Sequence, residues 1–202
     1  MTRGLLIVLE GIDGSGKSTL ARGIAEAFRA RGRTVLVTAE PTDGPHGRRI
    51  RELTRSGRRA QMSPDEEFAL FTDDRREHVE QRVRPALERG EVVVQDRSYF
   101  STVAYQGDRG VSRERILEVS TAIAPSPDVL LVVDLPVEVA LERITKTRDG
   151  PADDFEKAAN LERARQTFLS FDAATVLDGT RAPADLVADA LAAIDRVTPN
   201  HL

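Results

Sequence analysis

The 202-residue chain contains no cysteine, which excludes a disulfide framework and any metal site built on thiolates. It also has no excess of positive charge, because its formal net charge is −4 at pH 7, and this excludes a bulk basic field for nucleic acid. No apolar run approaches the ~20 residues that span a bilayer, and no signal-like cleavage region follows the N-terminus. We therefore expect a cytoplasmic enzyme, with neither a nucleic-acid polymer nor a membrane as its partner.

What the chain does contain is ordinary for a globular protein. Hydrophobic residues make up 40% and charged residues 31% of the sequence, and the length suits one domain with a sizeable core. There is no internal repeat, low-complexity tract or linker. The sequence thus predicts a single domain over residues 1–202.

The most specific local signal is a strand, a glycine-rich loop and a helix in succession near the N-terminus. Residues 5–10 form an apolar run that ends at Glu10 and has the length of a buried parallel strand. Residues 11–18 match the phosphate-binding pattern G-x-x-x-x-G-K-[ST]. Apolar residues then recur at helical spacing up to a stop at Gly32, namely Leu20, Ile24, Ala27 and Phe28. Because this succession is the context that the motif requires, it predicts a site for nucleotide phosphates.

The loop supplies most of the candidate nucleotide-binding residues. Its glycines let backbone N–H groups close around an anion, and the following helix adds its N-terminal dipole. The Lys17 ammonium can reach the β- and γ-phosphates, and the Ser18 hydroxyl can hold Mg²⁺. The loop alone does not separate kinases from ATPases and GTPases, and a plain glycine-rich turn is the structural alternative. The candidates are Gly11, Ile12, Asp13, Gly14, Ser15, Gly16, Lys17, Ser18 and Thr19.

Strand and helix signals alternate along the rest of the chain. Strands are expected at residues 5–10, 34–38, 91–96, 129–134 and 174–177. Helices are expected at residues 47–56, 63–89 with a capping box at its start and a bend at Pro85, 98–106, 112–124, 136–147, 156–171 and 183–197. This alternation predicts an α/β fold with a five-stranded parallel sheet between two layers of helices, and ligands at the carboxyl ends of the strands. A polar stretch at about residues 146–156 is typical of a short lid.

Asp96 and Arg97 follow an apolar strand and form the second candidate cluster. Asp96 stands where the acidic group of a phosphate-loop enzyme holds Mg²⁺, and Asp134, which ends a similar strand, is its rival. Asp96 is favoured because an arginine directly after it can hold a second phosphate in bidentate fashion. A nucleotide kinase must hold a donor triphosphate close to an acceptor phosphate, so the pair favours a kinase. A surface ion pair is the structural alternative.

Two predicted helix faces could bind a flat base. Phe71 and Arg75 are four residues apart and so share one face, where the ring can stack on a heterocycle and the guanidinium can bind its edge. Thr102, Tyr105 and Gln106 form an i, i+3, i+4 face whose groups can hydrogen-bond a base or sugar. Taken alone, a phenylalanine at helical spacing is more often part of a core.

Together these residues resemble the thymidylate kinase family. The resemblance rests on residues 11–19, Glu40-Pro41, the 70–75 segment and the block Asp96-Arg-Ser-Tyr-Phe-Ser-Thr-Val-Ala-Tyr-Gln-Gly107, with weaker similarity at residues 155–163. It covers nearly the whole chain in the expected order. It implies a P-loop NTPase three-layer sandwich that transfers the γ-phosphoryl group of ATP to dTMP with Mg²⁺, giving dTDP and ADP, and that usually forms a homodimer.

The resemblance also implies roles for single residues. Phe71 would stack on thymine, Arg75 would bind its edge, Thr102 and Gln106 would contact the base, and Tyr105 would pack beside the deoxyribose and disfavour a ribose.

On the phosphate side, the resemblance implies that Arg51 and Arg97 hold the acceptor phosphate. Asp13 would lie at the junction of the sugar and the phosphate loop, and Glu40-Pro41 would lie near the acceptor. Lys17, Arg97 and Asp13 are thus catalytic candidates.

One departure from the family pattern concerns the phosphate loop, which has no arginine where some members carry one. The cation for the transition state should then come from the lid. Arg148 is the first candidate, Lys146 is the fallback, and Arg143 on the nucleotide side is the next.

Two other functions remain open from the sequence. One is a kinase of the same fold for another nucleotide or a deoxynucleoside, and the other is a nucleotide-binding regulator that acts on no monophosphate. A regulator needs no base platform and no arginines for an acceptor phosphate, so Phe71, Arg75 and Arg97 count against it. The sequence leaves open the monophosphate preference and the donor base.

Overall fold

The computed structural model describes residues 4–146 and 154–198, with the side chains of residues 154–157 outside the described part. Within these ranges, five parallel strands form one sheet in the order β2-β3-β1-β4-β5. The strands are β1 (Leu5–Glu10), β2 (Val35–Ala39), β3 (Val92–Asp96), β4 (Val129–Asp134) and β5 (Ala174–Asp178). The predicted α/β fold is confirmed, and the observed strand ends differ from the predicted ones by at most one residue.

Helices cover both faces of this sheet. They are α1 (Lys17–Ala30), α2 (Pro45–Arg55), α3 (Pro64–His78), α4 (Arg84–Glu88), α5 (Tyr99–Tyr105), α6 (Arg113–Ile123), α7 (Val137–Thr145), α8 (Asp154–Leu169) and α9 (Pro183–Val197). A short 3₁₀ turn, Arg58–Gln61, precedes α3. None of the helices in the described ranges is both long and apolar enough to cross a membrane.

The alternation of side chains along β1 divides the core into two layers. Leu5, Ile7 and Leu9 pack with the apolar faces of α1 and α9. Leu6 and Val8 point to the opposite face and pack with residues of the helices between α3 and α8. Because successive strand residues face opposite sides, a strand covered on both faces must be apolar throughout. This requirement explains the uninterrupted run that predicts β1.

The long helix predicted over residues 63–89 is interrupted. It begins with the expected capping box, in which Glu66 N donates to Ser63 Oγ (3.3 Å) and Ser63 N donates to Glu66 Oε2 (2.9 Å). After α3 comes a π-helical turn at Val79–Val83, and α4 continues from it. Pro85 lacks an N–H and its ring crowds the carbonyl four residues earlier, so the wider turn falls where the sequence predicts a bend.

The start of α2 packs closely on the loop before it. A Cβ at Gly47 would lie 1.9 Å from the carbonyl oxygen of Thr42. The Thr42 backbone is held in turn, because its N–H donates to Asp74 Oδ2 on α3 (2.9 Å) and its hydroxyl donates to Asp74 Oδ1 (2.6 Å). Position 47 therefore requires glycine, because only a residue without a side chain lets α2 pack on the Thr42 backbone while Asp74 of α3 holds Thr42 in place.

We expect Gly47→Ala to destabilise the protein, although alanine is normally the better helix residue by up to about 1 kcal/mol. Backbone must move to relieve the contact, and overpacking of this kind costs about 1–3 kcal/mol. Gly23→Ala in α1 is the matched control, because its Cβ would meet the Val187 side chain at 2.4 Å, and a side chain can rotate away. Urea unfolding measures both variants. A Gly47→Ala protein as stable as Gly23→Ala would contradict the packing argument.

Candidate active site

The glycine-rich loop lies between the end of β1 and the start of α1, as the motif predicts. Gly11 and Gly14 have positive φ angles of 139° and 82°, which residues with a Cβ rarely adopt. A Cβ at Gly14 would also lie 2.7 Å from the carbonyl oxygen of Ala140 at α7. Gly16 caps α1 with a φ of 98°. The loop thus closes against α7 and presents the N-terminus of a 14-residue helix to an anion.

Lys17 spans the inside of this loop. Its Nζ donates to the Ile12 carbonyl (2.8 Å) and approaches Ser15 Oγ (3.4 Å), and the side chain is buried. Burial lowers the pKa of Lys17 to about 8, assisted by the like charge of Arg97 and opposed by nearby carboxylates, Asp96 first. An anion in the loop would stabilise the protonated ammonium.

Ser18 and Asp96 meet across the end of the sheet. The Ser18 hydroxyl donates to Asp96 Oδ2 at 2.6 Å. The rival Asp134 is engaged elsewhere, because Arg165 of α8 donates to both of its carboxylate oxygens (2.6 and 3.0 Å). A hydroxyl and a carboxylate are oxygen ligands of the kind that Mg²⁺ takes together with water and substrate phosphates. Among the described residues, no group of three or more histidine, cysteine or acidic side chains could hold a metal ion by itself.

Arg97 lies beside the loop in a strained backbone conformation. Its φ of 70° is in the left-handed region, which costs of order 1 kcal/mol or more outside glycine. Its N–H donates to the Leu9 carbonyl (2.9 Å), and its own carbonyl accepts from Gln95 Nε2 (3.0 Å). The guanidinium donates to Asp13 Oδ1 (2.6 Å) and Ser101 Oγ (2.8 Å). These bonds hold a cation directly against the phosphate loop.

Glu10 lies behind Arg97 and is fully buried. Its Oε1 accepts from the N–H groups of Ser98 (2.7 Å) and Ser101 (3.1 Å), and its Oε2 accepts from the Ser101 hydroxyl (2.6 Å). Arg97 NH1 lies 3.9 Å from Glu10 Oε2. Burial raises the pKa of Glu10 to about 7, against the lowering effects of Arg97 and of these hydrogen bonds. One buried carboxyl thus ties the end of β1 to the start of α5.

Glu40, at the end of β2, is the centre of a second buried polar network. Its Oε2 accepts from Arg75 Nε (3.0 Å), and its Oε1 lies 3.0 Å from His78 Nδ1 and 3.2 Å from Gln95 Nε2. Arg75 NH2 then donates to Thr102 Oγ1 of α5 (2.9 Å). Burial raises the pKa of Glu40, but Arg75 and the His78 hydrogen bond outweigh it and leave that pKa below its ordinary value. Arg75 itself is only 1% exposed.

The two predicted base-binding faces lie opposite each other. Phe71 is half-buried on α3, while Thr102 and Gln106 on α5 are buried and bond to α3 side chains. The Tyr105 hydroxyl is buried and has no hydrogen-bond partner among the described residues, and its ring lies 5.5 Å from the Arg97 guanidinium carbon. The structure therefore brings the predicted base and sugar residues together beside Arg97.

Arg51 lies on α2 at the edge of the same region. Its guanidinium donates to the Pro41 carbonyl (2.9 Å) and to Asp43 Oδ1 (2.9 Å). Arg51 and Pro41 line a cavity of about 740 Å³ that extends to Ser18 and Asp96. Arg51 thus lines the same cavity as the candidate metal ligands, and this cavity could receive an anionic group.

A second cavity lies over the phosphate loop. It measures about 380 Å³ and is lined by loop residues together with Lys17, Asp96, Arg97 and Arg143. Arg143, on α7, donates to the carbonyls of Gly14 (3.4 Å) and Gly179 (3.2 Å). Lys146 is exposed at the end of α7. Arg148 and most of the predicted lid lie outside the described residues.

Four buried groups next to the site have no role in the sequence analysis. Glu10 ends an otherwise apolar strand, which is the one signal that could have pointed to it. The others, Glu67, Asp74 and His78, lie within eight residues of Arg75 on α3. Their charge predicts exposure, whereas each is 3% exposed or less. Their common position on the helix that carries Phe71 and Arg75 could have indicated a buried polar face.

Comparisons with known proteins agree with this geometry. The family model described as thymidylate kinase matches residues 9–185. A thymidylate kinase of Xanthomonas oryzae pv. oryzae is 44% identical over 194 residues, covering 96% of this chain and 79% of that protein. Thymidylate kinases of Desulfotalea psychrophila (44%, covering 83% and 81%) and Xylella fastidiosa strain 9a5c (41%, covering 96% and 91%) are similar. Because both the family model and these relatives extend over most of the chain, the chain belongs to the thymidylate kinase family.

Proposed function

We propose that this enzyme transfers the γ-phosphoryl group of ATP to dTMP, giving dTDP and ADP. The observation that carries the proposal is the position of Arg97, which is held against Asp13 of the phosphate loop at 2.6 Å and directly follows the candidate metal ligand Asp96. A phosphate-binding loop and a separate guanidinium can hold two phosphate groups close enough to react.

On the donor side, the loop from Gly11 to Thr19 binds the triphosphate through its N–H groups and Lys17. Ser18 and Asp96 would hold Mg²⁺, with Asp96 acting through water. When bound, Mg²⁺ would neutralise negative charge on the donor phosphates. A cavity of about 250 Å³ between the loop, Arg143 and the start of α9 suits the donor nucleoside.

On the acceptor side, Arg97 and Arg51 bind the phosphate of dTMP. Phe71 stacks on thymine, while the base edge meets Arg75 together with Thr102 and Gln106 across the gap between α3 and α5. Tyr105 packs beside the deoxyribose, close to Arg97. Glu40-Pro41 supports this side, because the Glu40 carboxylate orients the Arg75 guanidinium.

In the reaction, an oxygen of the acceptor phosphate attacks the γ-phosphorus, and the bond from that phosphorus to the β–γ bridging oxygen breaks. The acceptor oxygen already carries negative charge, so no general base is needed. Charge spreads over the equatorial oxygens of the transferred group, where the Lys17 ammonium stabilises it. Asp13 holds Arg97 so that acceptor and donor phosphates meet in line.

The phosphate loop carries no arginine, so a further cation must approach the transferred group from outside it. We assign this role to Arg148, in the lid that follows α7, because a contact made on closure acts mainly in the transition state. Arg143 already lies against the loop and instead contacts the bound donor. Lys146 is the alternative to Arg148.

Three further features belong to the same proposal. The kinase domain extends over residues 1–202, with its lid at about residues 146–156. The enzyme works in the cytoplasm as a homodimer. Membership of the thymidylate kinase family supports all three.

The acceptor assignment is tested with a coupled assay of ADP formation against dTMP, dUMP, dCMP, dAMP and dGMP. We expect the highest kcat/KM with dTMP, because in the proposed site Phe71 stacks on thymine and Arg75 binds the edge of that base. Lys17→Ala is the matched negative variant, which should remain folded and lose at least about 10³-fold in kcat, since it removes charge where negative charge develops. A higher kcat/KM with another monophosphate, or near-normal turnover by folded Lys17→Ala, would contradict the proposal.

The two arginines near the lid should differ in their kinetic effects. We expect Arg148→Ala to lower kcat by at least about 10²-fold with little change in KM for dTMP, because its contact forms in the transition state. Arg143→Ala should mainly raise KM for ATP. Lys146→Ala tests the alternative source of the cation in the same segment. If Arg148→Ala, Lys146→Ala and the double variant all keep kcat within a few-fold of the parent, the lid does not supply the cation.

The buried carboxyl behind Arg97 predicts a pH dependence of stability. The pKa of Glu10 is raised from 4.5 to about 7, so its protonated form stabilises the folded protein below pH 4.5, and this contribution is lost as the pH rises through 7. Relative to Glu10→Gln, the ligand-free protein should lose stability between pH 5 and 8, by up to roughly 3 kcal/mol. Urea unfolding across this range measures the effect, with exposed Glu88→Gln as control. Parallel curves for the parent and Glu10→Gln would contradict the assignment.

A further inference from the structure

Two hydrogen-bonded contacts join α3 to α5 on either side of Phe71. At one end, Arg75 NH2 donates to Thr102 Oγ1 at 2.9 Å. At the other end, Gln106 Nε2 donates to Glu67 Oε1 at 3.0 Å. Glu67, Phe71 and Arg75 are spaced four residues apart and so form one stripe along α3. A ring stacked on Phe71 therefore has an arginine on one side of it and the Gln106 amide on the other.

Glu67 is a buried anion enclosed by arginines. It is 1% exposed, and its Oε2 accepts from Arg109 NH1. Arg109 is itself held in place, because it donates to the carbonyls of Met62 (2.7 Å) and Arg59 (3.3 Å). Arg59 Nε also lies 3.6 Å from Glu67 Oε1. A carboxylate in these surroundings only accepts hydrogen bonds.

The charge of Glu67 decides which way the Gln106 amide points. Because the carboxylate accepts only, the NH₂ group of Gln106 must face Glu67, and the amide oxygen faces away from it. No described residue donates to this oxygen. We propose that Glu67 is a specificity-determining positioning residue, which acts by fixing the Gln106 amide so that its oxygen is presented to the acceptor base. This inference rests on the proposed function, in which that base lies on Phe71.

The resulting pattern of donors and acceptors distinguishes pyrimidines. Arg75 offers only donors, and Gln106 offers an acceptor. Thymine carries the complementary pair, because its O4 accepts next to an N3–H that donates. Cytosine carries the reverse pair, with a donating 4-amino group next to an accepting N3. A site of fixed polarity disfavours the reversed base strongly, since its own buried groups would be left unpaired.

Glu67→Gln should reverse the Gln106 half of this pattern, from acceptor to donor, with little change in shape. Arg109 can only donate, so the new side chain would turn its amide oxygen towards Arg109 and its NH₂ group towards Gln106. Gln106 must then accept with its oxygen and present its NH₂ group to the base. We expect kcat/KM for dTMP to fall at least about tenfold, mostly through KM for dTMP, with KM for ATP unchanged. The ratio of kcat/KM for dTMP to that for dCMP should fall further, because the NH₂ group of Gln106 can donate to N3 of cytosine but faces the N3–H donor of thymine.

Exchanging the two side chains provides the rescue. In Glu67→Gln/Gln106→Glu, the NH₂ group of residue 67 donates to a carboxylate at residue 106, whose other oxygen again accepts from the base, so the dTMP preference should return. Exposed Glu118→Gln, on α6, is the control for the loss of one negative charge and should keep the parent ratio. Gln106→Met removes the amide while Glu67 stays, and it should lower the ratio of kcat/KM for dTMP to that for dCMP by less than Glu67→Gln does, because Arg75 still disfavours the 4-amino group of cytosine.

The outcomes separate this inference from the proposed function. If the parent enzyme does not phosphorylate dTMP, the proposed function fails whatever the variants do. If the parent prefers dTMP but Glu67→Gln keeps the parent ratio of dTMP to dCMP, the positioning role is wrong. If Glu67→Gln does not fold, a parent ratio of dTMP to dCMP in Gln106→Met overturns the inference equally, and a lowered ratio in Gln106→Met together with rescue by the double exchange supports it.

Discussion

The parallel pairing of β1 with β3 is the constraint on which the site depends. Its register places Leu9 opposite Asp96, so the residues that follow each strand, the phosphate loop from one and Arg97 from the other, leave the sheet side by side. A slip of one residue would turn every side chain of the strand to the opposite face. The apolar contacts of two core layers therefore maintain the 2.6 Å approach between Ser18 and Asp96. The packing of the sheet thus also fixes the positions of the residues at the phosphate site.

Several charged side chains around the site are buried, and burying a charge costs free energy. Glu10, Glu40, Glu67 and Arg75 are all buried, and an isolated buried charge costs several kcal/mol. Each is tolerated because a cation or several hydrogen bonds compensate it. The same pairing means that removal of one partner leaves the other charge uncompensated. This is why the substitutions that best separate function from folding here are isosteric, such as an amide for a carboxylate.

The sequence predicts the fold, the phosphate loop and the position of Asp96 better than the contacts made around Arg75 and Gln106. β1, the phosphate loop and α1 are contiguous in the chain, and apolar periodicity with a glycine pattern is enough to define them. Asp96 could be placed at the sheet edge because strand ends in a parallel sheet share that edge. In contrast, the partners of Arg75 and Gln106 lie 27 to 45 residues away in the sequence. No local pattern encodes such contacts, and propensity places Glu67 and His78 in solvent. The π-helical turn at Val79–Val83 is also only partly predictable, since Pro85 signals a distortion but not its form.

The left-handed backbone at Arg97 has a consequence for how this position can change. Glycine adopts a φ of 70° without steric penalty, so Arg97→Gly would relieve the backbone strain while removing the guanidinium beside Asp13. The relief would be opposed by the loss of the guanidinium's bonds to Asp13 and Ser101 and of the cation beside buried Glu10, and the substitution would remove the group proposed to hold the acceptor phosphate. At position 97, backbone strain favours glycine and the proposed phosphate contact requires arginine, so a stabilised version of the enzyme would have to gain its stability elsewhere.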